Sequence, residues 1–110
     1  MKLSSIIEKL NLEIINDSEM NTKEVEGVYI GDLLSVVMAR AKPNFLWLTI
    51  QTHINIIAVA TLVDLAGIII IEGMEIDKET IEKAKEVGMP LFKTNLSAYD
   101  MACRLKEIGL

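Results

Sequence analysis

The stretch from Phe45 to Ile71, FLWLTIQTHINIIAVATLVDLAGIIII, limits the folds open to this chain more than any other. It begins with a nearly unbroken apolar run and ends with four isoleucines. Between these ends lies a helix-compatible segment, Ile54 to Ala66, apolar on almost every side. Two short runs rich in β-branched residues, a dozen helical residues apart, predict a β-α-β unit whose strands are both buried in a parallel sheet. The polar exceptions cluster between Thr49 and Asn55, where the first strand should hand over to the helix.

The flanking sequence repeats the alternation. Leu3, Ile6, Ile7 and Leu10 make the stripe of a short amphipathic helix, with Ser4 or Ser5 as its cap. Leu12 to Ile15 is a strand candidate, and Asn16 to Glu24 is polar and predicts a loop. Val25 to Ile30 has strand character. Gly31-Asp32 marks a turn in which Asp32 is expected as N-cap of the following helix, its carboxylate suiting the positive helix end. Leu34, Val37, Met38 and Ala41 form the stripe of that helix, but Leu33 and Val36 lie outside it. So broad an apolar face fits either burial under loops or a subunit interface. Lys42-Pro43-Asn44 ends the helix. Beyond the isoleucine run, Asp77 is expected as an N-cap, with Ile76 stapled to Ile81. Gly88 suits a left-handed C-cap, Leu91-Phe92 a strand, and Ser97 the cap of a last helix that ends at Gly109-Leu110 as the previous one ends at Gly88-Met89. The expected fold is therefore α/β: one domain over residues 1–110, with 1–24 contributing a helix, a strand and a loop. A mostly parallel sheet of four to five strands would be covered by helices.

At 110 residues and 51% apolar content, Ile, Leu, Val and Met must do most of the packing. A net charge of -5 with scattered basic residues argues against a nucleic-acid surface, which needs clustered Lys and Arg. The N-terminal apolar run is broken by Ser4, Ser5 and Glu8, unlike a signal peptide. The charge-free window from Pro43 to Val63 carries Asn44, Gln51, His53 and Asn55 at the depth where a spanning helix must be apolar. With one cysteine, Cys103, a cytoplasmic, reducing setting is expected. Neither a membrane nor a nucleic acid is an expected partner.

Ligands of open parallel sheets bind beyond the carboxyl ends of the strands. Four handovers should meet there, and they supply the candidate ligand-binding residues Asp32, Gln51, Thr52, His53, Gly73, Thr94, Asn95 and Ser97. The set is rich in hydroxyls and amides and poor in cations, which suits a neutral polar or nucleoside-like ligand. His53 is either a ligand contact or general base, or a first-turn residue bonded to backbone, and Thr52 either a contact or an N-cap. Asp64 is read as a solvated helix end. One His and one Cys cannot furnish a zinc set, and no carboxylates are spaced for calcium, so no metal or cofactor is expected. Neither G-x-x-x-x-G-K-[ST] nor G-x-G-x-x-G occurs. No nucleophile, base and orienting group assemble into a catalytic set.

The strings VEGVYIGDLLSVVMARA and LTIQTHINIIAVATLVDLAGIIIIEG resemble the DRTGG domain family, over about Val25 to Leu110. Gly27, Tyr29, Ile30, Asp32, Leu33, Leu34 and Ser35 carry the likeness, with Thr49 to His53. Where many members have a glycine pair after the isoleucine-rich strand, this chain has Glu72-Gly73. Stand-alone members are similar to the N-terminal domain of HPr kinase/phosphorylase, whose kinase activity belongs to a separate P-loop domain. The resemblance implies an α/β fold like that domain, a homodimer and a regulatory or nucleotide-sensing role rather than an enzyme. An adenine-containing nucleotide is then the expected ligand. The alternative is an interaction module that docks a partner protein and binds no small molecule.

Overall fold

The computed structural model describes residues 1–17 and 23–110. In chain order these form α1 (Leu3–Leu10), β1 (Glu13–Asn16), β2 (Gly27–Ile30), α2 (Leu34–Arg40), β3 (Phe45–Thr49), α3 (Asn55–Val63), β4 (Gly67–Ile70), α4 (Lys78–Val87), β5 (Leu91–Lys93) and α5 (Ala98–Glu107). Their sequence is the expected alternation. Part of the expected 16–24 loop lies outside the described residues, and at its end Glu24 bridges to Lys2.

The five strands form one sheet in the order β1-β5-β4-β3-β2. The isoleucine strand β4 lies parallel beside the tryptophan-bearing β3, with Trp47 opposite Ile68 and Leu48 opposite Ile69. β2 and β5 extend the parallel set on either side, and β1 closes one edge antiparallel to β5. Every residue of β4 is buried.

Successive side chains of a strand point to opposite faces, and the two cores follow that period of two. Trp47, Ile68, Ile70 and Leu91 face the layer that holds Val37 of α2, Ile56 and Ala60 of α3 and Ala84 of α4. Leu46, Leu48, Ile69 and Phe92 face Leu3, Ile6 and Leu10 of α1 and Met101 and Leu105 of α5. The three helices that connect β2 to β3 to β4 to β5 thus share one layer, as consecutive crossovers of one hand require. Among the described residues, no helix is long and apolar enough to cross a membrane.

Four helices end alike. After α1, α3, α4 and α5 the chain turns through a left-handed residue (Asn11, Asp64, Gly88, Gly109). The next amide then reaches back five residues: Leu12 to Ile7, Leu65 to Ala60, Met89 to Ala84 and Leu110 to Leu105. This double-bonded ending satisfies carbonyls that the last turn would otherwise orphan. The like endings at Gly88-Met89 and Gly109-Leu110 are this shared chemistry. Asp64 is exposed there and pairs with Lys23 at 3.2 Å, so it is a solvated helix end.

Several local expectations need correction. Helix α1 starts at Leu3 with Lys2 as N-cap, so Ser4 and Ser5 lie inside the first turn and cap nothing. The strand expected at Leu12–Ile15 runs one residue later, Glu13–Asn16, because the Asn16 side chain donates to the carbonyls of Ala84 and Met89 and fixes the strand end against the end of α4. The N-cap of α3 is Ile54, not Thr52. The N-cap of α2 is Leu33, not Asp32. The side chains of Thr52 and Asp32, expected to hold these two helices, are engaged elsewhere on the sheet edge.

Candidate functional site at the strand ends

β2, β3, β4 and β5 all point their carboxyl ends at one rim, and backbone bonds lace the exits together. Gly31 N–H donates to Leu48 O, Ile71 N–H to Thr49 O and Thr94 N–H to Ile70 O. All eight residues expected from sequence lie along this rim, in three groups.

The first group joins β2 to β3. Asp32 Oδ1 accepts from Thr49 Oγ1 at 2.8 Å and from Ile50 N–H at 3.0 Å. Gln51 Nε2 donates to the Asp32 carbonyl at 2.9 Å, and Gln51 N–H to Thr49 Oγ1 at 3.1 Å. Beneath them the buried indole N–H of Trp47 donates to Gly31 O at 2.8 Å. Thr49 is fully buried, so its hydroxyl depends on Asp32 for an acceptor. The Asp32 carboxylate therefore staples two strand exits rather than capping α2.

The second group joins the β3 exit to α4. Thr80, buried in the first turn of α4, donates its hydroxyl to the Thr52 carbonyl at 2.6 Å. Thr52 Oγ1 donates to Asp77 Oδ1 at 3.5 Å, and Asp77, although in the N-cap position, makes no side-chain cap bond. His53 is exposed and accepts at Nδ1 from Asn55 N–H at 3.2 Å. In the neutral imidazole this puts the proton on Nε2, which is left as an exposed donor.

The third group joins β4 to β5. Glu72 and Gly73 both take the left-handed conformation, at φ 61° and 64°. Their amides donate to Leu96 O and Thr94 O, each at 2.9 Å, so neither amide of this turn is open to a phosphate. A Cβ on Gly73 would sit 2.8 Å from Asn95 Oδ1, which gives the glycine a steric as well as a conformational reason. Thr94 Oγ1 accepts from Leu96 N–H, and Ser97 caps α5 by accepting from Asp100 N–H at 3.1 Å. The loops separate here: the chain leaves β4 toward the α2–α4 layer and leaves β5 toward the α1–α5 layer. Divergence of neighbouring exits to opposite faces is where open α/β sheets form their ligand crevice.

Beside Thr94 and Asn95 opens a cavity of about 320 Å³, to which Asn11, Glu13, Lys93 and Arg104 also contribute. Sequence reasoning missed Lys93 and Arg104. Arg104 lies a full two turns into a helix whose charges look like a solvated face, and only the approach of α5 to the end of β5 brings it to the rim. Thr49 carried a visible signal, a lone hydroxyl at the end of the apolar run FLWLT. Among the described residues no group of His, Cys, Asp and Glu is placed to hold a metal ion.

The DRTGG domain profile matches residues 5–108, which takes in both layers, the whole sheet and the rim. The chain belongs to the DRTGG domain family. Among solved structures this DRTGG chain is similar to the CBS and DRTGG domains of the regulatory region of Clostridium perfringens pyrophosphatase, complexed with the activator diadenosine tetraphosphate. The TM-score is 0.74 at 17% identity, over 92% of this chain and 44% of that one. The likeness is one of fold, and the chain spans less than half of that structure. No curated protein matches the chain. In the turn after β4, Glu72 adopts at φ 61° the backbone conformation that a glycine would take freely.

Proposed function

We propose that this chain is a regulatory, ligand-sensing module without a catalytic step of its own, acting as one unit in the cytoplasm. Its ligand in this reading is an adenine-containing nucleotide laid over the carboxyl ends of the strands. The observation that carries the reading is the similar fold of a pyrophosphatase regulatory region in complex with diadenosine tetraphosphate. The chemistry of the rim supports it. Gln51 is fixed through Nε2, which leaves its Oε1 as an acceptor for an exocyclic amine, and the His53 Nε2 proton is a donor beside it. Thr52, Gly73, Thr94, Asn95 and Ser97 continue the surface toward the β5 end, with Asp32 holding its first corner.

A nucleotide panel in thermal-shift measurements tests this. A ligand present at a hundredfold excess over its dissociation constant, and binding only the folded state, adds about 2.7 kcal/mol. For a chain of 110 residues that is a rise of roughly 10 °C in Tm. Gln51→Ala should remove the shift and leave the fold unchanged.

One observation favours a second reading, a homodimeric interaction module. On and beside α2 only Val37 is fully covered, while Leu33 is 65% and Met38 47% exposed and Val36 is also open to solvent. A stable dimer in light scattering with no shift from any nucleotide would favour that reading.

A further inference from the structure

The groups at the β5 end of the rim are mostly hydrogen-bond donors, which is unexpected on a chain of net charge -5. The cavity beside Thr94 and Asn95 is lined by Arg104 of α5, while Lys93 and Glu13, which also border it, lie opposite each other in the β1–β5 register on the α2–α4 side of the sheet. Among the described residues Arg104 has no carboxylate within ion-pair distance; the pairs formed are Met1–Glu24, Lys23–Asp64 and Lys83–Glu86. Asp100 and Glu107 lie one turn to either side of Arg104 on α5 and border the adjoining α1–α5 groove, yet neither closes on it. The Thr94 hydroxyl already accepts from Leu96 N–H, so its own proton is free to donate. The Asn95 amide nitrogen has no partner among the described residues, while its oxygen lies against Gly73.

A guanidinium, a hydroxyl and an amide N–H at a cavity of about 320 Å³ suit an acceptor-rich, anionic occupant. A planar guanidinium fork is matched by the oxygens of phosphate. The cavity holds a phosphate group comfortably and a whole nucleotide only in part, and it opens onto the same Thr94–Asn95 segment that ends the rim.

We infer that Arg104, with Thr94 and Asn95, forms a phosphate subsite at the β5 end of the rim, which takes the phosphate chain of a nucleotide whose base lies toward Gln51. The inference rests on the nucleotide-sensing reading and adds to it the polarity of the ligand along the rim. It also relocates the anion contacts: side chains of α5 and of the turn after β5 supply them, since the Glu72 and Gly73 amides are bonded to the neighbouring loop.

The test titrates the full chain with adenosine, ATP and inorganic pyrophosphate, following backbone amide shifts by NMR. The variant Arg104→Gln accompanies it. Arg104 is exposed, so its variant should keep the wild-type spectrum elsewhere. ATP should bind at least about tenfold more tightly than adenosine, an advantage that Arg104→Gln removes, as expected for a charged hydrogen-bonded contact. Pyrophosphate should move the amides of residues 93–96 and 104 and fail to do so in that variant. Pyrophosphate binding without adenosine binding would keep the subsite and sink the nucleotide-sensing reading. Equal affinity for adenosine and ATP, or an ATP advantage that survives Arg104→Gln, would overturn the subsite and leave the base end of the rim standing. No binding of any of the three overturns both.

Discussion

Replacing Asp32 with alanine removes the acceptor that ties the ends of β2 and β3 together. Two bonds are lost, from Thr49 Oγ1 at 2.8 Å and from Ile50 N–H at 3.0 Å. They do not count equally. Ile50 is exposed and water can replace the carboxylate there, whereas Thr49 is fully buried and its hydroxyl would be left without a partner. A hydrogen bond to a charged group contributes about 1.5–3 kcal/mol, and stranding a buried donor costs about 1–3 kcal/mol. Because these are overlapping views of one event, a net loss of about 2–3 kcal/mol is expected. An unfolding entropy near 2.1 cal/mol/K per residue is about 0.23 kcal/mol/K for 110 residues. The fall in Tm should then be roughly 9–13 °C. Urea melts with an unchanged slope measure the free energy directly. Asp32→Asn keeps the Oδ1 acceptor and should cost no more than about 1 kcal/mol. A double-mutant cycle with Thr49→Val should show coupling of about 1 kcal/mol or more, since the two side chains touch. If Asp32→Ala cost less than about 0.5 kcal/mol, the ordinary range for a surface change, the staple would not exist and Asp32 would be a solvated turn residue.

Three further substitutions probe the rim and the α2 face. Gly73→Ala should lose about 1–2 kcal/mol in chemical denaturation, since φ 64° disfavours a Cβ and Asn95 Oδ1 would lie 2.8 Å from it; Asn95→Ala should recover only the steric share. Glu72→Gly should stabilise the fold by about 0.5–1 kcal/mol by relieving a left-handed non-glycine residue, net of the added freedom of the unfolded chain; a destabilised variant in the same melt would show that the glutamate side chain makes a contact of its own. Leu33→Asp combined with Met38→Lys should leave the monomer within about 0.5 kcal/mol of wild type, both sites being exposed. In sedimentation the same pair dissociates any dimer built on α2, and an undisturbed dimer would place the interface elsewhere.

How far the residues alone led depended on the range of the interaction. The order of elements, the buried parallel pair and the helix endings are written in local patterns: four isoleucines in a row, a glycine after an amphipathic stripe, serine before one. Strand order was not readable, because the side of the sheet that β1 joins is decided by distant contacts such as Asn16 to the end of α4. The caps were misjudged for a related reason. Asp32 and Thr52 have the chemistry of N-caps, but at a sheet edge they find nearer partners in Thr49, Asp77 and Thr80. The eight candidate residues do share one rim, because a parallel sheet sends every strand exit to the same side. Arg104 escaped notice since nothing about a basic residue two turns into a charged helix distinguishes it from its solvated neighbours. The cation-poor look of the rim in sequence was an effect of looking only at the turns.

Ligand occupancy of the strand-end rim is tested most directly by amide shift mapping during a titration with diadenosine tetraphosphate. Changes concentrated at residues 51–53, at Gly73 and at 94–97 are predicted. A spectrum that stays still, or changes confined to the α2 surface or to the apolar groove that Ile57 and Leu62 of α3 form with Val87 of α4, would contradict it.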